Sequence, residues 1–296
     1  MTCSIAYLGP PGTYTESAAL VYAQVQQSQG RAVGCLCPQP TIAQTLEAVA
    51  AGQVDVGVVP VENSIQGSVT MTLDAVWKLD TLQIQQALVL PIHHVLIAAT
   101  ADWDSLRTVY SHPQALAQCR HWLTAHLPQA QQVASNSTTE ALEQLPQDPT
   151  AAAIASERAA GLYQLPIVAH EINDYPGNCT RFWVMGRSPQ ETASHPTHSP
   201  RSNHISLAFS TPANVPGALV KPLQIFAQQD INLSRIESRP TKRSLGEYLF
   251  FLDLEANLAE PLVQEAIAQL KSHTEVLKIL GGYNVLEVAR SQIQAG

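Results

Sequence analysis

Charge is scarce in this sequence, and positive charge most of all. Only 14% of its 296 residues are Asp, Glu, Lys or Arg, and the formal net charge is −8. Before residue 190 the basic side chains are Arg31, Lys78, Arg107, Arg120, Arg158, Arg181 and Arg187. That balance argues against nucleic acid and anionic membrane surfaces as partners. An anionic ligand in this part must be held mainly by backbone N–H groups, hydroxyls and amides. Long apolar runs are missing too. Residues 88–99 include Pro91, His93 and His94, which makes the run too short and too polar for a membrane span. Residues 1–7 have no basic segment or long apolar core and read as a first strand, not a signal peptide. Cysteine is sparse and odd in number: Cys3, Cys35, Cys37, Cys119 and Cys179. This scattered set fits reduced thiols in the cytoplasm better than a disulfide framework. Cys35 and Cys37 are the only close pair, and the histidines lack ligand spacing, so no metal site is expected. His93 and His94 read as packed within an apolar strand.

What is present divides in two. Residues 189–202 are rich in proline and hydroxyls, have no apolar period, and read as a linker. Before it, strand and helix alternate. Strands are expected at 4–8, 54–59, 86–100, 108–111 and 151–155. Helices are expected at 15–27, 41–51, up to Trp77, and at 113–125, 138–145 and 157–163. This α/β order implies a mostly parallel sheet with ligands at the carboxyl ends of its strands. After the linker, residues 203–296 read as a ferredoxin-like βαββαβ unit. Its strands are expected at 204–211, 233–237, 248–254 and 276–280, and its helices at 217–229 and 261–273.

Polar clusters follow the strands of the first part. Gly9-Pro10-Pro11-Gly12-Thr13 lacks the Gly-Lys-Ser/Thr ending of a P-loop, which disfavours nucleotide binding. It offers free amides and a helix N-terminus to a carboxylate, or is an ordinary strand–helix turn. In Glu62-Asn63-Ser64 one residue can cap a helix, but capping does not account for all three. Ser111 precedes a helix on which Gln118 lies one turn after Gln114, and Ser111-His112 is a poor nucleophile pair. Ser137, Thr138 and Thr139 precede Glu140 and read as a cap that doubles as an anion contact. Asn178-Cys179-Thr180-Arg181-Phe182 closes a polar turn and opens a buried strand. Alternation points Thr180 and Phe182 to one side of it and Arg181 to the other.

Taken in order, Gly-Pro-Pro-Gly-Thr, Val-Glu-Asn-Ser, Ser-His-Pro-Gln and Thr-Arg-Phe resemble the monofunctional prephenate dehydratases. Pro216-Gly217-Ala218-Leu219 and Glu237-Ser238-Arg239-Pro240 resemble the ACT regulatory domain of those enzymes. The resemblance covers nearly the whole chain. It implies a two-lobed catalytic domain like type II periplasmic binding proteins, over residues 1–188, with the active site between the lobes. The first lobe is expected at about 1–85 and 167–188, the second at 86–166. Carried over, the catalytic positions are Asn63, Ser111, Gln118 and Thr180, with Glu62, Ser64, Arg181, Phe182, Ser137 and Thr138 as substrate contacts. Thr180 should then lie within about 12 Å of Asn63 or Ser111, because one small substrate must bridge them. Ser137-Thr138-Thr139-Glu140 departs from the family's Ser-Thr-Ala form at this point. Phenylalanine inhibition is implied at Gly217, Ala218, Leu219, Asn232, Leu233, Glu237, Ser238, Arg239 and Pro240, between the subunits of a homodimer or homotetramer.

The implied reaction removes the ring carboxylate of prephenate as carbon dioxide and its C4 hydroxyl as water. It needs no cofactor, only a hydrogen-bond donor at the departing hydroxyl and fixed polar groups for the substrate. The alternatives are arogenate dehydratase, which runs the same reaction on the transaminated substrate, and a non-catalytic amino-acid sensor.

Overall fold

The structure is a computed structural model that describes residues 2–188 and 202–294. The first lobe is built from β1 (Cys3–Leu8), α1 (Tyr14–Ser28), β2 (Val33–Gln39), α2 (Ile42–Ala50), β3 (Val56–Asn63), β4 (Gly67–Ser68), α3 (Thr70–Lys78) and β5 (Leu82–Pro91). Both α1 and α2 start at a threonine, Thr13 and Thr41, whose hydroxyl accepts from a first-turn amide.

The second lobe comprises β6 (Val95–Ala98), β7 (Thr108–Ser111), α4 (Pro113–Gln118), α5 (Arg120–His126), β8 (Gln131–Ala134), β9 (Ala151–Ala155), α6 (Glu157–Tyr163) and β10 (Ile167–Ala169). Its sheet runs β10-β6-β9-β7-β8. The central strand β9 is Ala-Ala-Ala-Ile-Ala and wholly buried between two apolar clusters. Burial on both faces overrides alanine's poor strand propensity there.

β11 (Cys179–Arg187) returns to the first lobe and lies antiparallel between β5 and β3. The chain therefore crosses between lobes at residues 92–94 and 170–178. Both crossings fall later than expected, because β5 stays in the first sheet through Pro91 and β10 pairs with β6. The strand expected over 86–100 is thus two strands with the first crossing between them. The helix expected over 113–125 is two helices meeting at Cys119, and 138–145 holds only a 3-10 turn, Glu140–Gln144. The sheets are mixed, since the strands next to the crossings run antiparallel to their neighbours.

The C-terminal part is β12 (His204–Ser210), α7 (Val220–Gln228), β13 (Asn232–Pro240), β14 (Tyr248–Glu255), α8 (Pro261–Lys271), β15 (Val276–Glu287) and α9 (Arg290–Gln294). This is the expected βαββαβ order, with α7 and α8 packed over Phe209, Phe226, Leu252 and Val263. The expected linker falls outside the described residues, except Ser202.

β15 runs past Leu280 and pairs through Asn284–Glu287 in parallel with β5, which joins the first-lobe sheet and the C-terminal sheet into one of ten strands. Gly281 makes this crossing possible. Its φ is +146°, and a Cβ there would meet Ile84 O at 2.6 Å. Ala208, Leu249, Phe251 and Tyr283 share one apolar cluster with Val59, Trp183 and Met185 of the first lobe. The two parts are packed as one body. Among the described residues, no helix is long and apolar enough to cross a membrane.

Candidate active site

Because β3 and β11 run antiparallel, the end of one lies beside the start of the other. Asn63 and Thr180 are direct register partners. Asn63 Nδ2 donates to Thr180 Oγ1 at 3.0 Å and to Asn178 Oδ1 at 2.8 Å. Asn63 Oδ1 accepts from the backbone amides of Ile65 and Gln66, each at 3.1 Å, so it caps a turn and not a helix. Gln118, at the end of α4 in the second lobe, reaches Asn63 Oδ1 through Nε2 at 3.3 Å. Since Thr180 Oγ1 accepts from Asn63, its own O–H remains available to donate, and Thr180 lines the cleft.

That cleft has a volume of about 810 Å³ and lies between the lobes. Asn63, Gln118, Thr180 and Phe182 form its floor. Gly9, Pro10, Thr13 and Tyr14 line it from the first lobe, and His112, Gln114, Ser137 and Thr138 from the second. Among the described residues lining it there is no lysine or arginine, whereas Glu140 and Glu143 are present. The surface offered to a ligand is one of hydroxyls, amides and apolar groups.

Several expected site residues lie elsewhere. Ser111 is wholly buried, and its hydroxyl donates to Ile154 O at 2.6 Å, behind the cleft wall. Ser64 Oγ accepts from the Cys179 amide at 3.0 Å and does not line the cleft. Arg181 and Glu62 face the opposite side of the sheet. Arg181 lies 3.6 Å from Glu62 and 3.2 Å from Asp253 of the C-terminal part, which makes both structural here. Ser137 lines the cleft while its Oγ accepts from the Glu140 amide at 3.0 Å. The Gly12 amide donates to Glu16 Oε2 at 2.8 Å, so within the turn at 9–13 it is taken by the helix that follows.

Sequence reasoning missed Asn178, Tyr14 and His94 as parts of this site. His94 is 2% exposed, and its Nε2 lies 2.8 Å from Gln118 Oε1. Its Nδ1 lies 3.0 Å from Tyr14 Oη, and the rings meet edge to face. No periodicity announces such a pairing, because both partners come from distant segments.

Burial pushes the His94 pKa down to about 4, and neighbouring His93 pushes the same way. Unfolded histidine titrates near 6.5. Between those values the unfolded chain binds more protons, so this contribution is intact above pH 6.5 and is lost as pH falls towards 4. Urea midpoints measured between pH 7 and 4.5 should therefore fall less steeply for His94→Gln than for the wild type. Parallel slopes would show that His94 charges freely in the fold.

A second recess, of about 200 Å³, is lined by Gly217, Ala218 and Leu219 together with Asn214, Tyr248 and Phe250. Gly217 has φ +82° and precedes α7, which begins only at Val220. The expected partners Asn232, Leu233, Glu237, Ser238, Arg239 and Pro240 do not line this recess within one chain. Glu237 accepts from Ser68 Oγ at 2.9 Å, and Arg239 pairs with Asp74 at 3.2 Å. Both are turned towards the first lobe.

The prephenate dehydratase family model matches residues 5–190, and the ACT domain model matches residues 205–272. The chain is 36% identical to the prephenate dehydratase of Lactococcus lactis subsp. cremoris, over 95% of this chain and 97% of that one. It is 40% identical to the bifunctional chorismate mutase/prephenate dehydratase of Aquifex aeolicus, over 94% of this chain and 73% of that one. The crystal structure of an Arthrobacter aurescens prephenate dehydratase in complex with L-Phe superposes with a TM-score of 0.83 at 34% identity. That match covers 95% of this chain and 90% of the other. On this agreement of sequence, topology and cleft, the chain belongs to the prephenate dehydratase family and carries its catalytic region and an ACT domain in one polypeptide.

Proposed function

We propose that this protein converts prephenate to phenylpyruvate, water and carbon dioxide in the cleft between its lobes. The observation that carries the reading is the Thr180 hydroxyl. Asn63 donates to its oxygen, so its proton is directed at the cleft and to the departing C4 hydroxyl of the substrate. A free threonine hydroxyl is a weak acid, so Thr180 acts as a positioned donor or proton relay and does not titrate itself. Ser137 and Thr138 supply hydroxyls for the carboxylates. With no cation among the described lining residues, the ring carboxylate is poorly stabilised as a charge. Loss of carbon dioxide disperses that charge, and formation of the aromatic ring drives the step.

The full-length protein should release phenylpyruvate from prephenate. Arogenate is the comparison substrate, because an ammonium group in the cleft would meet Glu140 and Glu143. Faster release of phenylalanine from arogenate than of phenylpyruvate from prephenate would reverse the assignment.

Phenylalanine is the proposed inhibitor, held in the recess at Gly217, Ala218 and Leu219. The uncapped start of α7 faces its carboxylate. A second copy of the chain completes the site with the exposed face of β13, Ile236 and Ser238, while Glu237 and Arg239 stay with the first lobe. The protein is on this reading at least a homodimer. The odd, scattered cysteines favour the cytoplasm as its compartment. Gly217→Leu and Ser238→Tyr are expected to abolish phenylalanine inhibition and leave basal turnover intact, as measured by inhibitor titration. Full sensitivity in both variants would move the effector site elsewhere.

A further inference from the structure

Three amide side chains close a ring at the cleft floor, where Asn63 and Gln118 line the cleft and Asn178 joins them. Asn63 Nδ2 donates to Asn178 Oδ1 at 2.8 Å, and Asn178 Nδ2 donates to Gln118 Oε1 at 3.0 Å. Gln118 Nε2 returns to Asn63 Oδ1 at 3.3 Å. All three residues are at least 96% buried, and Gln118 brings the second lobe into the ring. A ring of this kind has two senses, related by turning all three amides over. Only one sense presents an Asn63 N–H to Thr180. In the other, Asn63 Oδ1 would face Thr180 and capture its proton, which the substrate would then lack.

Two outside contacts select the sense. The backbone amides of Ile65 and Gln66 fix Asn63. At the far side, Gln118 is joined to Asn63 by the longest bond of the ring and is fixed by His94. We infer that His94 is a positioning residue: as the neutral Nε2–H tautomer it donates to Gln118 Oε1, holds the Gln118 end of the ring in the sense that the Ile65 and Gln66 amides set at Asn63, and so keeps the Asn63–Thr180 bond aligned. Gln118 Oε1 already accepts from Asn178, so the facing ring nitrogen must carry a proton. Nδ1 is then an acceptor, and it faces the Tyr14 hydroxyl. That hydroxyl is also 2.6 Å from His93 O, so Tyr14 shares its proton between two acceptors. If the proton moved to Nδ1, bare Nε2 would confront Gln118 Oε1. Gln118 would then turn over and break its bond to Asn63.

The inference rests on Thr180 as the donor, so its test must separate the two ideas. In the full-length enzyme, His94→Leu should lower kcat on prephenate by roughly 10–100-fold, the cost of misaiming a positioned group, with KM little changed. His94→Gln places an N–H near the Nε2 position and should recover most of that loss. If His94 acts through Thr180, the double variant Thr180→Ala with His94→Leu should be no slower than Thr180→Ala alone. The wild-type ring nitrogens, read by 15N NMR, should show protonated Nε2 and bare Nδ1. A protonated Nδ1, a His94→Leu kcat within about twofold of wild type, or a Gln variant no better than Leu would each overturn the inference. Should Thr180→Ala prove fully active, the donor assignment fails by itself, and the NMR result still decides the ring.

Discussion

Replacing Thr180 with alanine is expected to lower kcat on prephenate by roughly 10²–10⁴-fold, the scale of removing a positioned proton donor. The argument is geometric. Thr180 lies at the start of β11, 9% exposed, on the side of the strand that faces the cleft. Its oxygen is already occupied by the Asn63 amide, so removing the hydroxyl removes the proton proposed for the departing C4 hydroxyl. The fold should tolerate the change. Asn63 Nδ2 has two other acceptors in reach, Asn178 Oδ1 at 2.8 Å and Cys179 O at 3.1 Å, so no buried donor is stranded. Thr180→Ser keeps the hydroxyl without the methyl that fixes its rotamer and should fall between alanine and wild type. Steady-state assays of phenylpyruvate release and a thermal melt separate the two effects. Turnover of the alanine variant within about threefold of wild type would make Thr180 structural. The next donor to test would then be another cleft hydroxyl, since Glu62 faces away.

Much of this architecture was legible before the structure, for local reasons. Short apolar or β-branched runs next to turn residues mark β1, β3 and β11, and periodic apolar positions mark the βαββαβ order of the C-terminal part. The failures lie where tertiary contacts decide. Residues 86–100 form one apolar run, yet the chain changes lobe at 92–94, where His94 leaves the strand to meet Gln118. The last strand is expected to end at Leu280, before Gly281-Gly282. In the fold this glycine pair lets β15 pass close to Ile84 and join the catalytic sheet. Arg181 is the instructive case among site residues. Alternation alone turned it away from Thr180, whereas its place in the Thr-Arg-Phe motif suggested a substrate contact. The structure sides with alternation. Asn63, Gln118 and Thr180 were found through the resemblance, but their shared hydrogen bonds were not, because strand register and helix placement are not local properties of the sequence.

The second large effect is expected at Asp253, which is distant in sequence from the cleft but directly behind its floor. Asp253 is wholly buried on β14. It accepts from Arg235 Nε at 2.7 Å, Arg181 Nη1 at 3.2 Å and Ser206 Oγ at 2.5 Å. Since Ser206 gives its proton to Asp253, the Tyr283 hydroxyl, 2.7 Å away, donates to Ser206. One carboxylate thus serves two guanidinium groups, one from the ACT domain and one from the strand that carries Thr180. Among the described residues, Asp253→Ala would leave Glu62, 3.6 Å from Arg181, as the carboxylate paired with either cation. Removing one partner of a buried ion pair costs about 3–5 kcal/mol, and the unfolding temperature should fall by roughly ten degrees. Asp253→Asn keeps an acceptor but not the charge and should lose less. Replacing both members, Asp253→Leu with Arg235→Met, should regain part of the loss, because apolar packing then substitutes for a pair whose desolvation was itself costly. Arg181 adjoins Thr180 and Glu62 adjoins Asn63, so a cluster that shifts here also shifts the hydrogen bond between Asn63 and Thr180. Asp253→Ala should therefore lower kcat as well as stability, although the carboxylate never meets the substrate. An alanine variant that loses less than about 1 kcal/mol in urea unfolding would place Asp253 among surface-like pairs and remove this link between the domains.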